Sequence, residues 1–311
     1  LRNGEIVAVP TETVYGLAAD ALNEAAVQKI FEAKGRPLID PLIVHVGNMA
    51  GVAQLAEVPP VLEKLATRFW PGPLTVVLQK KDHVPSLVTA GMPTVAIRMP
   101  AHPLIRKLLL AFGGVLAAPS ANPFGYVSPT TAGHVRDSLG DRVPWIMDGG
   151  SCAHGLESTI IHLADPAGPR LLRPGPISRD DLEQVLGVHV LPAPSHLDQQ
   201  TAQIAPGMLA RHYSPATPLI LHKESGSLEK LANADKAQSP ARVWLQRPAT
   251  IVSGDYWLSE DGSLTEIGRN MFSLLRQLDS AGFPEIHIEL PEDAGIGVAI
   301  NDRLRRAAAK R

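Results

Sequence analysis

Six short clusters carry the residues that could do chemistry: VPTETVYG at 9–16, KGRPLIDP at 34–41, GMPTVAIRMP at 91–100, APSANPFGYVSPTT at 118–131, GLESTI at 155–160 and LRPGPIS at 172–178. Each sits at the end of an apolar, strand-like run. With His45 just past the second cluster, they supply hydroxyls, a carboxylate (Asp40), a lysine (Lys34) and the arginines Arg36, Arg98 and Arg173. Such a set suits an anionic ligand. Guanidinium forks and an ammonium bind phosphate or carboxylate, and Ser/Thr hydroxyls and turn N–H groups complete the shell. Taken singly, most of these residues have plain structural explanations. Thr11 and Thr13 can close a turn, Lys34 can sit at a helix C-terminus, His45 can be a bonded core histidine, and Ser120 and Asn122 can be turn residues. Arg98 is the exception, because a cation inside the apolar strand TVAIR needs a partner. Six clusters at six strand ends point jointly to a crevice, where open α/β sheets bind ligands.

Several familiar arrangements are missing. The sequence has no G-x-x-x-x-G-K-[ST] loop, no G-x-G-x-x-G after a strand, no H-E-x-x-H and no G-x-S-x-G. A nucleotide would have to be held some other way.

The elements that must position the clusters alternate along the chain. Residues 5–10 (EIVAVP) predict a short buried strand, and Asn23 caps a helix that Gly35 ends. Strands are expected at 42–46, 74–79, 94–98, 114–118, 143–148 (VPWIMD) and 158–163, with helices over 59–70, 103–112, 130–140 and 178–187. Composition shifts near residue 191, where LPAPSHLDQQTAQIAPG lacks any period and reads as a linker. Beyond it, ATPLILH, ARVWLQ, ATIVSG and EIHIEL alternate with the helix RNMFSLLRQLDSAG and a basic terminal helix, NDRLRRAAAKR. The expected fold is α/β: a twisted mixed sheet with flanking helices over 1–190, a linker at 191–216 folding over the site, and a smaller Rossmann-like α/β unit over 217–311.

Bulk properties narrow the function further. The chain has 311 residues, 45% of them hydrophobic, with 19% charged, net charge −2 and a single cysteine, Cys152. That balance fits a two-domain globular protein and argues against a broad nucleic-acid or membrane surface. One cysteine leaves no internal disulfide and no multi-thiolate metal site. The longest apolar run, near 108–119, is too short and glycine-rich to span a bilayer. The first residues show no signal-peptide pattern, and cytoplasm is the default expectation.

The motifs PTETVYGL, KGRP followed by DPLIVHV, PSAN followed by SPTT, LESTI and RPG resemble those of the YrdC-type L-threonylcarbamoyladenylate synthases. HYSP at 212–215 and GVAINDRLRRAA near the end are similar to the long, two-domain members. The resemblance implies synthesis of L-threonylcarbamoyl-AMP and pyrophosphate from L-threonine, bicarbonate and ATP. The product would pass to a downstream threonylcarbamoyl transferase complex, for N6-threonylcarbamoyladenosine in tRNAs reading ANN codons. It implies Mg²⁺ accompanying ATP and held mainly by phosphates, with no dedicated protein ligands. Carried over motif by motif, L-threonine would meet Thr13, His45, Arg98, the backbone of Ala118, and Ser158. ATP would meet Lys34, Arg36, Asp40, Thr94, Ser120, Asn122, Ser128, Arg173 and Tyr213, with Lys34 and Arg36 stabilising charge in the reaction and His45 able to act as a base.

An alternative is a double-stranded RNA-binding or ribosome-assembly module, against which stand the net charge of −2 and 5% aromatic residues. A tRNA contact through Arg303, Arg305, Arg306, Lys310 and Arg311 is compatible with either reading. A hydrogenase-maturation carbamoyl transferase shares a related domain, but its zinc portion cannot be built with one cysteine.

Overall fold

In the computed structural model, which describes residues 1–193, 201–208, 212–223, 226–232 and 239–309, the chain opens with a hairpin. Strand β1 (Val7–Val9) pairs antiparallel with β2 (Gly16–Asp20), so that the VPTETVYG cluster is the hairpin loop. The expectation included β1 but not β2, because Gly, Leu and Ala in GLAAD carry little strand propensity. Helix α1 (Glu24–Lys34) follows: the Asn23 side chain accepts from the Ala26 N–H, and Gly35 ends the helix at φ 61°. The α1 face buries Val27, Ile30 and Phe31, each contributing roughly 1.5–3 kcal/mol of transfer free energy.

Next come β3 (Ile43–His45), α2 (Met49–Leu55), α3 (Val61–Phe69), β4 (Leu74–Gln79), α4 (Ser86–Thr89) and β5 (Thr94–Arg98). Then follow α5 (Pro103–Phe112), β6 (Leu116–Ala117), α6 (Ala132–Leu139), β7 (Thr159–His162), β8 (Arg170–Arg173) and α7 (Arg179–Leu186). The strands form one mixed eight-stranded sheet in the order β1-β2-β6-β3-β5-β4-β7-β8. Residues 143–148, expected as a strand, make only a single bridge between Ile146 and Ala8. Pro144 has no N–H to give a ladder, which keeps the pairing that short.

The smaller unit has β9 (Leu219–His222), α8 (Ser227–Ala232), β10 (Ala241–Gln246), β11 (Asp255–Ser259), α9 (Leu264–Ser280), β12 (Ile286–Glu289) and α10 (Gly297–Ala307). Its strands run parallel in the order β11-β10-β12-β9. The strand expected at 249–254 is instead β11, just beyond it. Ile251 and Val252 are exposed, and the Asp255 carboxylate takes the Val252 N–H, which makes the segment a turn.

The two units share a core. Val14, Val127, Leu156 and Tyr213 pack with Ile267, Met271 and Phe272 of α9. A Cβ on Gly155 (φ 66°) would fall 2.4 Å from the Arg269 carbonyl, so only glycine lets α9 lie against the GLESTI loop. Arg276 of α9 donates to the carbonyls of Ser128 and Val127. Ala205 and Met208 of the linker pack on Ile43, Val77, Ala96, Ile160 and Leu172, covering one face of the large sheet. Residues 194–200 and 209–211 of that expected linker lie outside the described residues. Among the described residues, no helix is long and apolar enough to cross a membrane.

Candidate active site

The period-two geometry of strands builds the floor of the site. On the sheet face that carries Ile43, Ala96, Val77 and Ile160, the residues two positions along are His45, Arg98, Thr75 and Ser158. Register lines them up: His45 stands opposite Arg98, and Arg98 opposite Thr75. The Thr75 and Ser158 hydroxyls bond at 2.7 Å. A polar row thus crosses four adjacent strands on the face that the linker covers.

Arg98 is 3% exposed, and its acidic partner is Glu12, with Nη2 2.6 Å from Oε1. Nη1 donates to Thr13 Oγ1 at 2.8 Å and Nε to the Gly72 carbonyl at 3.3 Å. Burial alone would raise the pKa of Glu12, but the Arg98 charge and hydrogen bonds outweigh it and hold the carboxyl below its usual value. Glu12 was absent from the sequence expectations. The hairpin loop presents both residues through Thr11, whose Oγ1 donates to Val14 O and accepts from the Thr13 and Val14 N–H groups.

The KGRP loop forms the second wall. Arg36 pairs with Asp40 at 2.9 Å and donates to the carbonyls of Asp40 and Pro41, while its guanidinium lies 6.0 Å from the Phe124 ring centre. Lys34 Nζ donates to the Ser120 and Asn122 carbonyls at 2.5 Å each, which ties α1 to the PSAN loop. Burial, reinforced by Arg36, pushes the Lys34 pKa well below its ordinary value. Burial also raises Asp40, against the opposing pull of Arg36 and Lys34.

The third wall comes from β8. Arg173 donates to Ser158 O and Oγ and to the Pro206 carbonyl of the linker. Among the described residues it forms no ion pair with an acid. Burial lowers its pKa. Tyr213 closes the roof at φ 64°, edge-on to His212 (4.2 Å) and stacked on Phe272 (5.5 Å). Glu157 accepts from Ser128 Oγ at 2.5 Å and from Arg303 Nε at 2.8 Å.

These walls enclose a cavity of about 40 Å³, room for about one water molecule. Of the expected residues, Thr13, Arg36, His45, Arg98, Ala118, Ser120, Ser158, Arg173 and Tyr213 line it. Lys34, Asp40, Thr94, Asn122 and Ser128 do not. Lys34 and Asp40 stand behind Arg36 and Ser120, and the Asn122 amide holds its own turn through the Pro123 and Tyr126 carbonyls. Glu157, His212 and the Pro206–Gly207 pair line the cavity without having been expected. Glu157 sits inside the LESTI motif and His212 inside HYSP, so the signal was present in the neighbouring residues. Wider clefts of about 400, 580 and 620 Å³ lie elsewhere. The first is lined by buried Arg276, which donates to the Val127, Ser128 and His134 carbonyls, and the arginines lining the other two are exposed.

His45 has an unpartnered Nδ1 and a pKa pushed down to about 3, by burial first and by Arg98 second. Its imidazole is therefore neutral at physiological pH, suited to accepting a hydrogen bond and too weakly basic to be an effective general base. The basic terminal helix also differs from expectation. Arg303 is fully buried, Arg306 pairs with Asp302 and donates to Met208 O, and Arg305 pairs with Asp293. Lys310 and Arg311 lie outside the described residues.

Comparison with known proteins shows the family. A family model described as "Telomere recombination" (Sua5, YciO, YrdC) matches residues 1–175, and one described as "Threonylcarbamoyl-AMP synthase, C-terminal domain" matches 177–309. The threonylcarbamoyl-AMP synthase of Pyrococcus abyssi is 42% identical over 322 residues, covering 100% of this chain and 92% of that protein. The Bacillus subtilis threonylcarbamoyl-AMP synthase is 43% identical over 321 residues, covering 100% and 91%. The crystal structure of P. abyssi Sua5 complexed with L-threonine matches with a TM-score of 0.90 at 40% identity, covering 99% of this chain and 91% of that one. The chain belongs to the threonylcarbamoyl-AMP synthase family, as an enzyme of the long two-domain Sua5 form.

Proposed function

We propose that the cavity converts L-threonine, bicarbonate and ATP into L-threonylcarbamoyl-AMP and pyrophosphate, for N6-threonylcarbamoyladenosine in tRNAs that read ANN codons. The carrying observation is that the guanidinium groups of Arg36, Arg98 and Arg173, all buried, wall one cavity under the linker. Arg36 and Arg98 already face Asp40 and Glu12, whereas Arg173 has no acid partner among the described residues. A buried cation needs an anionic partner, and a triphosphate supplies it, with the substrate carboxylate sharing Arg98. The likeness to a Sua5 that binds L-threonine supports the amino-acid half of the assignment.

In this reading L-threonine occupies the polar row at Thr13, His45, Arg98, Ala118 and Ser158. A guanidinium has five N–H donors, so Arg98 can hold Glu12 and the substrate carboxylate together. Neutral His45 accepts from the threonine amine or hydroxyl. ATP lies across Arg36, Arg173, Ser120 and Tyr213, with Lys34, Asp40, Thr94, Asn122 and Ser128 supporting them from behind. The amine attacks bicarbonate, or CO₂ formed from it, and gives a carbamate. A carbamate oxygen then attacks the α-phosphorus and pyrophosphate leaves. No side chain becomes covalently attached; the protein positions the reactants and stabilises charge on the phosphates.

A magnesium ion held by protein ligands does not fit the donor set. Glu12, Asp40 and Glu157 are each committed to an arginine, and no group of three potential ligand residues gathers among the described residues. Mg²⁺ would therefore travel with the ATP phosphates, and no step above is routed through it. In this reading the described linker residues that roof the cavity, Pro206, Gly207, His212 and Tyr213, move aside to admit ATP and then shield the carbamoyl adenylate from water. The product passes to a downstream transferase complex.

The test is pyrophosphate release from ATP and bicarbonate with each amino acid in turn. Threonine should stimulate release well above serine and alanine; equal rates would refute the substrate assignment. Tight, salt-sensitive RNA binding without pyrophosphate release would favour an RNA-binding module instead.

A further inference from the structure

The smaller unit reaches the cavity through one side chain that no motif of the larger unit announces. Arg303 lies on α10, and its side chain is fully buried. Its Nε donates to Glu157 Oε2 at 2.8 Å, Nη2 donates to the Pro174 carbonyl at 2.9 Å, and Nη1 pairs with Asp302 at 2.6 Å. The same guanidinium lies 5.2 Å from the centre of the Tyr213 ring. It thus joins the loop before β7, the turn after β8 and the linker roof.

The charges around the cavity explain why this matters. Arg36 is matched by Asp40 and Arg98 by Glu12. Glu157 is the acid that lines the cavity, next in sequence to Ser158, whose carbonyl and hydroxyl both accept from Arg173. Without another partner, a buried carboxylate there would turn to the nearest guanidinium, because an unpaired buried charge is costly. Arg173 would then be neutralised and could not serve a phosphate.

We propose that Arg303 is a positioning residue for the reaction: it holds Glu157 away from Arg173, so that Arg173 keeps its charge for the anionic substrate beneath Tyr213. Its role is exerted through Glu157 and needs no contact with substrate. The smaller unit is then part of the active site's charge balance as well as packing support. This inference rests on the reading that the cavity takes ATP.

The experiment compares wild type, Arg303→Met, Arg303→Lys and the double variant Arg303→Met/Glu157→Gln. It measures KM for ATP and for threonine, ATP Kd by calorimetry, and folding by circular dichroism. Arg303→Met should raise the ATP KM and Kd at least tenfold and leave the threonine KM within about threefold. Removing the carboxylate as well should return the ATP constants to within about threefold of wild type. A purely structural role would not be rescued by a second change at Glu157. Arg303→Lys keeps the charge, should fold, and should fall between wild type and Arg303→Met, so it carries the test if Arg303→Met does not fold. Equal increases for both substrates, no rescue in the double variant, or an Arg303→Lys variant with wild-type ATP constants beside an impaired threonine KM would each overturn the proposal. Wild type that binds no ATP at all would overturn the functional reading itself and the inference with it.

Discussion

Burial of His45 makes a quantitative claim about acid stability. Its imidazole is pushed down to about 3 in the folded chain, against about 6.5 when unfolded. Between these values the unfolded chain binds a proton that the folded chain does not, so stability at this site is intact above pH 6.5 and is lost as pH falls. Proton linkage puts the loss between pH 7 and pH 5 at about 2 kcal/mol. His45→Gln removes the titrating group while keeping a neutral polar side chain of similar length. Urea unfolding of both proteins at pH 7 and pH 5 isolates the effect, because His134, His154, His162, His212 and His222, whose pKa values are also lowered, are common to both. The variant should lose about 2 kcal/mol less than wild type on going to pH 5. Parallel losses would refute the burial argument and would reopen His45 as a base titrating near neutrality.

Arg98→Gln should cost roughly 3–5 kcal/mol in urea unfolding by stranding the buried Glu12 carboxylate. Adding Glu12→Gln should recover most of that stability while the threonine KM stays at least tenfold raised; recovery of both would make Arg98 purely structural. Phosphate charge against Arg36 should favour the protonated form of Lys34 that burial and Arg36 disfavour, so ATP binding should be accompanied by proton uptake in the pH range where Lys34 of the free protein is partly deprotonated. Calorimetry in buffers of different ionisation heat measures that uptake, and Lys34→Met should abolish it. Gly207→Ala should weaken ATP binding: the backbone is at φ 77°, and a Cβ would stand 2.8 Å from Tyr213 Oη and 3.1 Å from Arg173 Nη1. The left-handed conformation alone costs on the order of 1 kcal/mol, and unchanged ATP Kd would show that the linker does not pack on Arg173 when substrate is bound.

Much of the fold is legible in the sequence because its signals are local. Asn23 and Gly35 bracket α1, apolar runs mark β3 to β5, and the six polar clusters stand at strand ends. The weak β2 and the broken pairing at 143–148 escaped because low propensity in one case and a proline in the other override the hydrophobic pattern. The polar row His45, Arg98, Thr75 and Ser158 follows from alternation within each strand, yet its alignment needs the register that only the assembled sheet supplies. Charge pairing is the part that only the tertiary structure decided. Arg98 meets Glu12 from 86 positions away, and Arg303 meets Glu157 through Nε across 146 positions. Sequence spacing shows that a buried arginine must have a partner, because an unpaired charge is too costly to bury. Which carboxylate fills that need depends on two distant segments arriving at the same few ångströms, and no local pattern encodes that meeting.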